Sequence, residues 1–352
     1  MYENDNRTVM TLDAGGTNFV FSAIKGCKTV VPPVRLDAVT DNADRCLAVL
    51  VNGFRQVESM LEEKPVAISF AFPGPADYEA GIIGDLPNFP CFRGGVAMGP
   101  YLAEEFGLPV FINNDGNLFA YGEALAGILP EMNARLETAG STMCYKNLIG
   151  LTLGTGFGAG VVIDGVLLKG DNGCGGDVWL MRNVHYPEKI AEESVSIRAV
   201  KRVYRELSGM DEDSPKKIFE IAEGLREGDR QAALKAFSEM GVAIADALAH
   251  VLDIVDGLVV IGGGVSGAYK YIIPSVIEAL KGWLQMEVLD LTTDAGMAEF
   301  LKDDSVEIPV PGSKRKVRYR KEKKTGIAVT HIGTSEAVSL GAYTYALSQI
   351  DK

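Results

Sequence analysis

Clusters of glycine that follow short apolar segments are the clearest chemical signal in this sequence. Forty of the 352 residues are glycine. Three clusters stand directly after apolar runs, at Gly15–Gly16, Gly154–Gly160 and Gly262–Gly264. A turn without side chains lets backbone N–H groups approach an anion, and phosphate is commonly bound in this way. The three clusters therefore predict phosphate-binding turns.

Two common phosphate motifs lead to different expectations. The P-loop pattern, Gly-x-x-x-x-Gly-Lys followed by Ser or Thr, does not occur. The dinucleotide pattern does occur, at Gly262, Gly264 and Gly267, and Glu287 and Asp290 stand near the place of a ribose-binding acid. The chain after Gly267 is too short for the rest of a doubly wound sheet, so a dinucleotide-binding oxidoreductase is kept as the weaker alternative.

Composition limits the class of protein. There are 34 Lys and Arg against 47 Asp and Glu, a net charge of −13, and such a field repels nucleic acid and anionic membranes. No apolar run reaches the ~18 residues that cross a bilayer, and the first residues lack the pattern of a signal peptide. The five cysteines are scattered, and none stands at zinc-ligand spacing with the three histidines. We therefore expect a cytoplasmic protein with free thiols and no structural zinc.

The glycine clusters lie in predicted β-hairpins. The run Val9–Thr17 reads as a strand that enters a tight turn, and Asn18–Lys25 alternates as the returning strand; residues 148–168 repeat this design. Strand and helix patterns then alternate, as in α/β layers. Helices are predicted from about 116 to 126 and over Arg230–Val255, and a closing helix over Ser335–Ile350, capped by Thr334 or Ser335. The pattern predicts two related α/β lobes.

The order of the motifs resembles one family. The segment Leu12–Asn18 resembles the first phosphate motif of the actin-like sugar kinases, Leu153–Gly160 their second, and Val260–Val265 their adenosine-binding loop. Further motifs follow the order of the ROK family of repressors and sugar kinases, from Val9 to about Leu347: Phe72–Pro75, Leu86–Phe89, Asn113–Asn117, Gly165–Gly170 and Leu340–Ala342.

The resemblance implies an α/β fold, the two-lobed actin-like (ribonuclease H-like) ATPase fold, with an active-site cleft between the lobes. Residues 1–122 with the closing helix 336–352 would form the sugar and phosphate lobe. Residues 123–335 would form the nucleotide-binding lobe, with a basic hairpin insertion near 303–325. The implied protein is a homodimer.

The resemblance also implies an ATP- and Mg²⁺-dependent kinase that phosphorylates a primary hydroxyl of a hexose or N-acetylhexosamine. Asp115 would be the general base, although an Asp at this place is also a common helix cap. The two roles are compatible, because a helix N-terminus is expected to lower the pKa of the carboxyl group and keep it ionised. Asp13 would hold Mg²⁺ through water, because a carboxylate at the end of a buried strand needs a cation or hydrogen-bond donors beside it. The residues implied to bind ATP or its phosphates, in a clamp of two glycine hairpins, are Asp13, Gly15, Gly16, Thr17, Asn18, Gly154, Thr155, Gly156, Gly262, Gly263 and Gly264. The residues implied to bind the sugar are Gly74, Asn88, Asn114, Asp115, Asp177 and Glu192.

One motif departs from the family. Its members usually carry Gly-Glu-x-Gly-His after the second phosphate hairpin; the Glu and His contact the sugar, and the His often joins three cysteines on zinc. Here Asp177 replaces the Glu, Leu180 replaces the His, and the cysteine cluster is missing. Trp179 could stack on a sugar face or belong to the core. A non-catalytic sugar- or nucleotide-binding regulator is the main alternative. A DNA-binding repressor is not expected, because only eight residues precede Val9.

A basic segment is the second departure. Lys314–Lys324 holds eight basic residues and one acidic residue, a net charge of +7, which leaves −20 for the rest of the chain. A contact with nucleic acid is one interpretation. The favoured one is a solvated hairpin, with a strand over Val306–Val310, a turn at Pro311 and Gly312, and a lysine-rich edge.

Overall fold

The computed structural model describes residues 2–14, 18–74, 76–84 and 90–352. The first part of the chain contains the following elements: β1 (Thr8–Ala14), β2 (Asn18–Lys25), β3 (Lys28–Thr29), β4 (Val34–Asp37), α1 (Ala43–Ser59), β5 (Ala67–Ala71), β6 (Ala76–Asp77), β7 (Ile82–Ile83), α2 (Met98–Phe106), β8 (Val110–Asn113), α3 (Asp115–Leu125), α4 (Ile128–Thr138), β9 (Leu148–Leu153), β10 (Phe157–Ile163) and β11 (Val166–Leu167).

The second part contains α5 (Ile197–Ser208), α6 (Pro215–Ala222), α7 (Arg230–Val255), β12 (Leu258–Gly262), α8 (Tyr269–Leu280), β13 (Glu287–Asp290), α9 (Asp294–Leu301), β14 (Ser305–Pro309), β15 (Lys316–Arg320), β16 (Lys324–Val329) and α10 (Thr334–Ile350). Short 3₁₀ helices span Pro90–Phe92, Val178–Leu180, Ala191–Glu193 and Ser266–Ala268. No helix among the described residues combines the length and the hydropathy needed to cross a membrane.

The chain divides into two compact units. Unit 1 comprises residues 1–127, 160–176 and 331–352, and unit 2 comprises 128–159 and 177–330. Segment 160–176, which the sequence placed in the second lobe, therefore groups with unit 1. Gly160 packs directly on the start of α3, where an added Cβ would lie 2.6 Å from the carbonyl oxygen of Gly116.

Unit 1 is built on a mixed sheet with the strand order β3–β2–β1–β5–β8, and β4 also pairs with β2. β1 forms the predicted hairpin with β2 and runs parallel to β5, which runs parallel to β8. All five residues of β5 are buried, as expected of a central parallel strand with both faces covered. Leu50 and Phe54 of α1 pack on one side of the core, and residues of α10 pack in a second cluster with Val9 and Ala67.

The closing helix α10 fixes the position of α3. The two helices approach at glycines: an added Cβ at Gly341 would lie 1.8 Å from the carbonyl oxygen of Leu118, and one at Gly122 would lie 2.0 Å from that of Ala337. This close approach explains the glycine in the motif Leu340–Ala342. The predicted cap of α10 is wrong, because the cap position is Gly333, with φ of 84°, and no side chain caps the helix.

The second sheet has the order β11–β10–β9–β12–β16–β13, and its strands β9, β12, β16 and β13 lie in unit 2. β12 is parallel to both β9 and β16, and all five of its residues are buried. The long amphipathic helix α7 has the predicted bounds, and fourteen of its residues are buried. The sequence analysis did not predict α4, α9, β13 or β16, whose short or polar sequences lack a clear periodicity.

The basic hairpin is present as predicted. β14 pairs antiparallel with β15, with Ser305 opposite Arg320 at one end and Pro309 opposite Lys316 at the other. The turn holds Gly312 at φ of 72°, and the Val310 N–H donates to the carbonyl oxygen of Arg315 at 2.9 Å. Lys324 does not belong to this hairpin, because it is the first residue of the core strand β16.

Candidate active site

The carboxyl ends of three parallel strands bring distant candidate residues to one edge of the unit 1 sheet. Asp13 of β1 is paired with Ala71 of β5, which is paired with Asn113 of β8. Neighbouring strands lie about 4.8 Å apart, so Asp13 and Asn113 are separated by about 10 Å. Asp115 follows Asn113 by two residues. Ligands of α/β proteins commonly bind at such an edge.

A network of amides fixes the junction between β8 and α3. The Oδ1 of the buried Asn113 accepts the backbone N–H of Asn114 at 2.8 Å and the Nδ2 of Asn117 at 3.0 Å. Since a backbone N–H can only donate, both amide orientations are determined. Sequence analysis missed these positioning roles of Asn113 and Asn117. The run of polar residues at the end of an apolar strand was the available signal.

Asn114, and not Asp115, caps α3. The Oδ1 of Asn114 accepts the Gly116 N–H at 2.8 Å, and Asp115 is the first helical residue. The Oδ1 of Asp115 accepts the same N–H at 2.9 Å. The interpretation of Asp115 as a cap is therefore wrong, and its carboxylate is not required for that structural task.

Asp115 is exposed to solvent, yet desolvation by surrounding protein raises the pKa of its carboxyl group. Hydrogen bonds from the backbone N–H groups of Gly116 and Asp115 oppose this rise. A side chain that water can touch and that is still desolvated lies in a recess. The sequence predicted that the helix N-terminus would lower this pKa, and burial outweighs that effect. A raised pKa makes the carboxylate a stronger base.

Asp13 lies at the end of a strand that is buried up to Leu12, and its own side chain is exposed. Burial therefore does not require a cation beside it, contrary to the sequence argument.

Gly74 is exposed beyond the end of β5. The Tyr78 hydroxyl lies beside it: this hydroxyl donates to the Phe72 carbonyl oxygen at 2.9 Å and would lie 3.0 Å from a Cβ added to Gly74. Asn18 begins β2 and is exposed. Gly15, Gly16, Thr17 and Asn88 lie outside the described residues.

The second glycine hairpin, in unit 2, is held at its tip by its own backbone and by the start of α5. The Gly154 N–H donates to the carbonyl oxygen of Gly156 at 3.1 Å, and the Ile197 N–H donates to that of Gly154 at 2.8 Å. Thr155 is exposed between them.

Glu192 and Arg198 clamp this hairpin. The two carboxylate oxygens of Glu192 accept the Phe157 N–H at 3.1 Å and the Arg198 guanidinium at 2.9 Å. Arg198 also donates to the Thr155 carbonyl oxygen at 3.2 Å and to Glu193 at 2.6 Å. The predicted sugar ligand Glu192 thus contacts the hairpin that was predicted to bind phosphate. Arg198 was missed by the sequence analysis, because five residues of irregular chain and helix separate it from Glu192.

The third glycine cluster meets the second hairpin. Gly263 has φ of 91°, and an added Cβ would lie 2.3 Å from the carbonyl oxygen of Leu153. The Val265 N–H donates to that same oxygen at 2.9 Å. Gly262 ends β12, and Gly264 is exposed with open space where a Cβ would stand. The structure therefore brings Gly154–Gly156 and Gly262–Gly264 together.

The altered family motif lies at a short 3₁₀ helix. Asp177 is exposed at the start of the 3₁₀ helix Val178–Leu180. Desolvation raises the pKa of its carboxyl group, and a hydrogen bond from the Trp179 side chain opposes the rise. Leu180 is 52% exposed. Trp179 is half-buried, so it is not a core residue. Within the described part of the chain, no three His, Cys, Asp or Glu side chains form a group that could hold a metal ion.

An α/β chain with glycine turns of the phosphate-binding type at Gly154–Gly156 and Gly262–Gly264 is typical of the sugar-kinase and ATPase class. The ROK family model matches residues 9–306, and the chain belongs to the ROK family. The crystal structure of a glucokinase from Parabacteroides distasonis has 60% sequence identity and a TM-score of 0.93 over 99% of both chains.

Two curated relatives are more distant. A glucokinase of Thermotoga maritima is 28% identical over 323 residues, which cover 81% of this chain and 93% of that protein. An N-acetyl-D-glucosamine kinase of Vibrio cholerae is 26% identical over 274 residues, covering 72% and 83%. The predicted family and fold class are confirmed, and they replace the dinucleotide-binding fold considered for Gly262, Gly264 and Gly267.

Proposed function

We propose that this protein is an ATP-dependent kinase that phosphorylates a primary hydroxyl of a hexose or N-acetylhexosamine. The observation that carries the proposal is the carboxyl edge of the unit 1 sheet, where Asp13 and Asn113 share one row and Asp115 sits in a recess. Family membership and the glucokinase relatives support the same reaction class.

Asp115 is the proposed general base. As the sugar oxygen forms its bond to the γ-phosphorus of ATP and the bond to the ADP oxygen breaks, the hydroxyl proton moves to the Asp115 carboxylate. Its raised pKa favours this transfer, and the Asn113–Asn117 network keeps the carboxylate in place. Positioned base catalysis contributes about 10²- to 10⁴-fold to such a rate.

The glycine turns suit the phosphates of ATP. Thr155 and Gly264 are exposed, and an added Cβ on Gly154 or Gly264 would meet no atom within 4 Å. Their backbone can therefore be approached by an anion. Mg²⁺ is commonly held by one or two carboxylates together with waters and substrate phosphates. The exposed Asp13 suits this role, and the ion would neutralise charge on the β- and γ-phosphates.

Asn114 and Asp177 are proposed to bind sugar hydroxyls; Asn114 is half-buried and Asp177 is exposed. The oxygen of the Asn114 amide caps α3, so its NH₂ group is the part that can donate to a hydroxyl. Asp177 is oriented by Trp179 and is exposed. Glu192 already has a protein partner on each oxygen, so a sugar hydroxyl bound there would share the carboxylate with the phosphate hairpin. Gly74 and Asn88 keep the sugar-binding roles implied by the family motif.

The alternative is a regulator that binds sugar or nucleotide without turnover, and the replacement of the family His by Leu180 favours it. A coupled assay of ADP release with a panel of hexoses and N-acetylhexosamines decides between the two. Sugar-dependent ADP formation with a 6-phosphorylated product supports the kinase. Sugar or nucleotide binding by calorimetry without turnover, in the presence of Mg²⁺, refutes it in favour of the regulator.

A further inference from the structure

The hairpin of residues 305–320, here called the arm, presents an uncovered apolar face. Val306 is paired with Tyr319, and Ile308 with Val317, so the four side chains stand on one face of the ribbon. They are 49%, 52%, 43% and 45% exposed, respectively. The opposite face carries the pairs Ser305–Arg320, Glu307–Arg318 and Pro309–Lys316.

The base of the arm is anchored, and the ribbon beyond it is a two-stranded sheet by itself. Lys324 donates to the carbonyl oxygens of Glu299 at 2.6 Å and Lys302 at 2.7 Å, and it pairs with Asp304 at 3.1 Å. Arg320 donates to the Thr142 hydroxyl at 3.3 Å. A two-stranded ribbon without further cover is marginally stable in water. A partner surface on its apolar face would stabilise it.

Charge indicates what the partner is. The arm has five basic residues and one acidic residue, a net charge of +4, which leaves −17 for the rest of the chain, so the arm repels a second arm and attracts the body of a second copy. Apolar side chains without cover also occur on an acidic part of unit 2, at Leu207, Met210 and Leu225, which are 51%, 45% and 78% exposed.

These side chains belong to a segment that we call the acidic patch, residues 206–229. It has eight acidic and three basic residues, a net charge of −5. An ion pair between Glu212 and Arg226, at 3.5 Å, joins its two ends and brings the neighbourhoods of Met210 and Leu225 together. The patch therefore offers apolar side chains within negative charge, the complement of the arm.

We propose that the arm is a self-association element that docks its apolar face on the acidic patch of a second copy of this chain. Reciprocal docking of two arms on two patches would close a two-fold dimer, the commonest symmetry of homo-oligomers. The uncovered faces on both surfaces, together with their opposite charges, carry this inference independently of the proposed activity.

The test is sedimentation velocity or light scattering of the full chain over a range of concentrations. Ile308→Thr with Val317→Thr keeps β-branched residues in the ribbon and removes half of its apolar face. We expect it to weaken dimerisation about tenfold or more, as for loss of a central apolar contact. The matched control is Ile163→Thr with Val166→Thr, an exposed cross-strand pair of another hairpin, 40% and 61% exposed, which should leave the dimer unchanged.

A second variant tests the other surface. Met210→Ser with Leu225→Ser should weaken the dimer to a similar extent, and high salt should weaken the wild-type dimer, because the charges are exposed. A monomeric wild type, a dimer indifferent to the arm variant, or one indifferent to the patch variant would each overturn the proposal. Binding of the arm to a DNA or RNA duplex, or to vesicles of anionic lipid, without dimerisation would also overturn it. Unchanged melting temperatures show that the variants fold.

Discussion

Replacing Asp115 with Asn should abolish turnover without loss of stability. Asn114 caps α3 through its own Oδ1, so the helix keeps its cap when residue 115 changes. The amide is nearly the size of the carboxylate but cannot accept the hydroxyl proton. We expect kcat to fall by about 10²- to 10⁴-fold, equivalent to a barrier increase of about 3 to 5 kcal/mol, while KM for ATP stays within about twofold, since the base acts in the transition state.

The same substitution has a predicted effect on stability with a defined sign. Burial raises the pKa of Asp115 in the folded state, so the folded state favours the protonated form. The stability that this gives is fully present below the unfolded-state pKa and is lost as the pH rises through the folded-state pKa. At neutral and alkaline pH, wild type therefore carries a desolvated charge that the variant lacks. The melting temperature of Asp115→Asn should equal or exceed that of wild type at pH 8, and this advantage should disappear towards pH 4.

Asp44→Asn is the matched control, because Asp44 is an exposed acid in the first turn of α1. That variant should be fully active and slightly less stable, through loss of a favourable helix-dipole interaction. The assays are steady-state kinetics and thermal melts at several pH values. If Asp115→Asn kept more than about a tenth of the wild-type kcat, the assignment of the base would be refuted. If it melted below wild type at pH 8, the argument from desolvation would be refuted.

Three further predictions concern the phosphate hairpin, the metal and the sugar site. Arg198→Ala should raise KM for ATP about tenfold or more, because it releases Thr155 and Glu192, and Arg198→Lys should rescue it in part. The control Arg205→Ala, on the same helix, should leave KM unchanged. If Arg198→Ala had the same KM for ATP as wild type, the role of Arg198 as a clamp would be refuted. Activity should be lost in EDTA and restored by Mg²⁺ alone. A zinc-selective chelator should leave activity and melting temperature unchanged, and stoichiometric zinc in the purified protein would contradict the absence of a zinc site. Glucose, mannose and an N-acetylated hexosamine should differ by no more than about 10² in kcat/KM, because Leu180 cannot form a hydrogen bond with the C2 substituent. The double variant Asp177→Glu with Leu180→His should increase the preference among these sugars. A wild-type preference above about 10³ at C2 would show that other residues recognise this position.

Local pattern determined much of the fold in advance. The hairpin β1–β2, the helix α7 and the arm follow from alternation, helical periodicity and turn residues that lie next to one another in the chain. The bounds of α7 were predicted without error because both ends carry local signals. Asp229 caps its start, and the chain leaves its end through Asp256 in the left-handed region. β13 and α9 were missed because their short segments owe their structure to packing.

The motif order also determined the family, and with it the identities of the candidate residues. It could not determine their environments. Whether Asp115 caps a helix or sits desolvated in a recess depends on atoms from many parts of the chain, and only the tertiary structure shows which atoms surround it. The same holds for Asp13, whose side chain is exposed although its strand is buried.

The sequence by itself therefore determined which residues are candidates for phosphoryl transfer, because strands, turns and glycine clusters depend on residues that are close together in the chain. Tertiary structure alone decided which residues meet. Asp13, Ala71 and Asn113 share a row only because β1, β5 and β8 pair in one register. Glu192 and Arg198 reach the turn at Thr155 only because α5 begins beside it. Such contacts depend on long-range packing, in which each partner is positioned by elements far away along the chain.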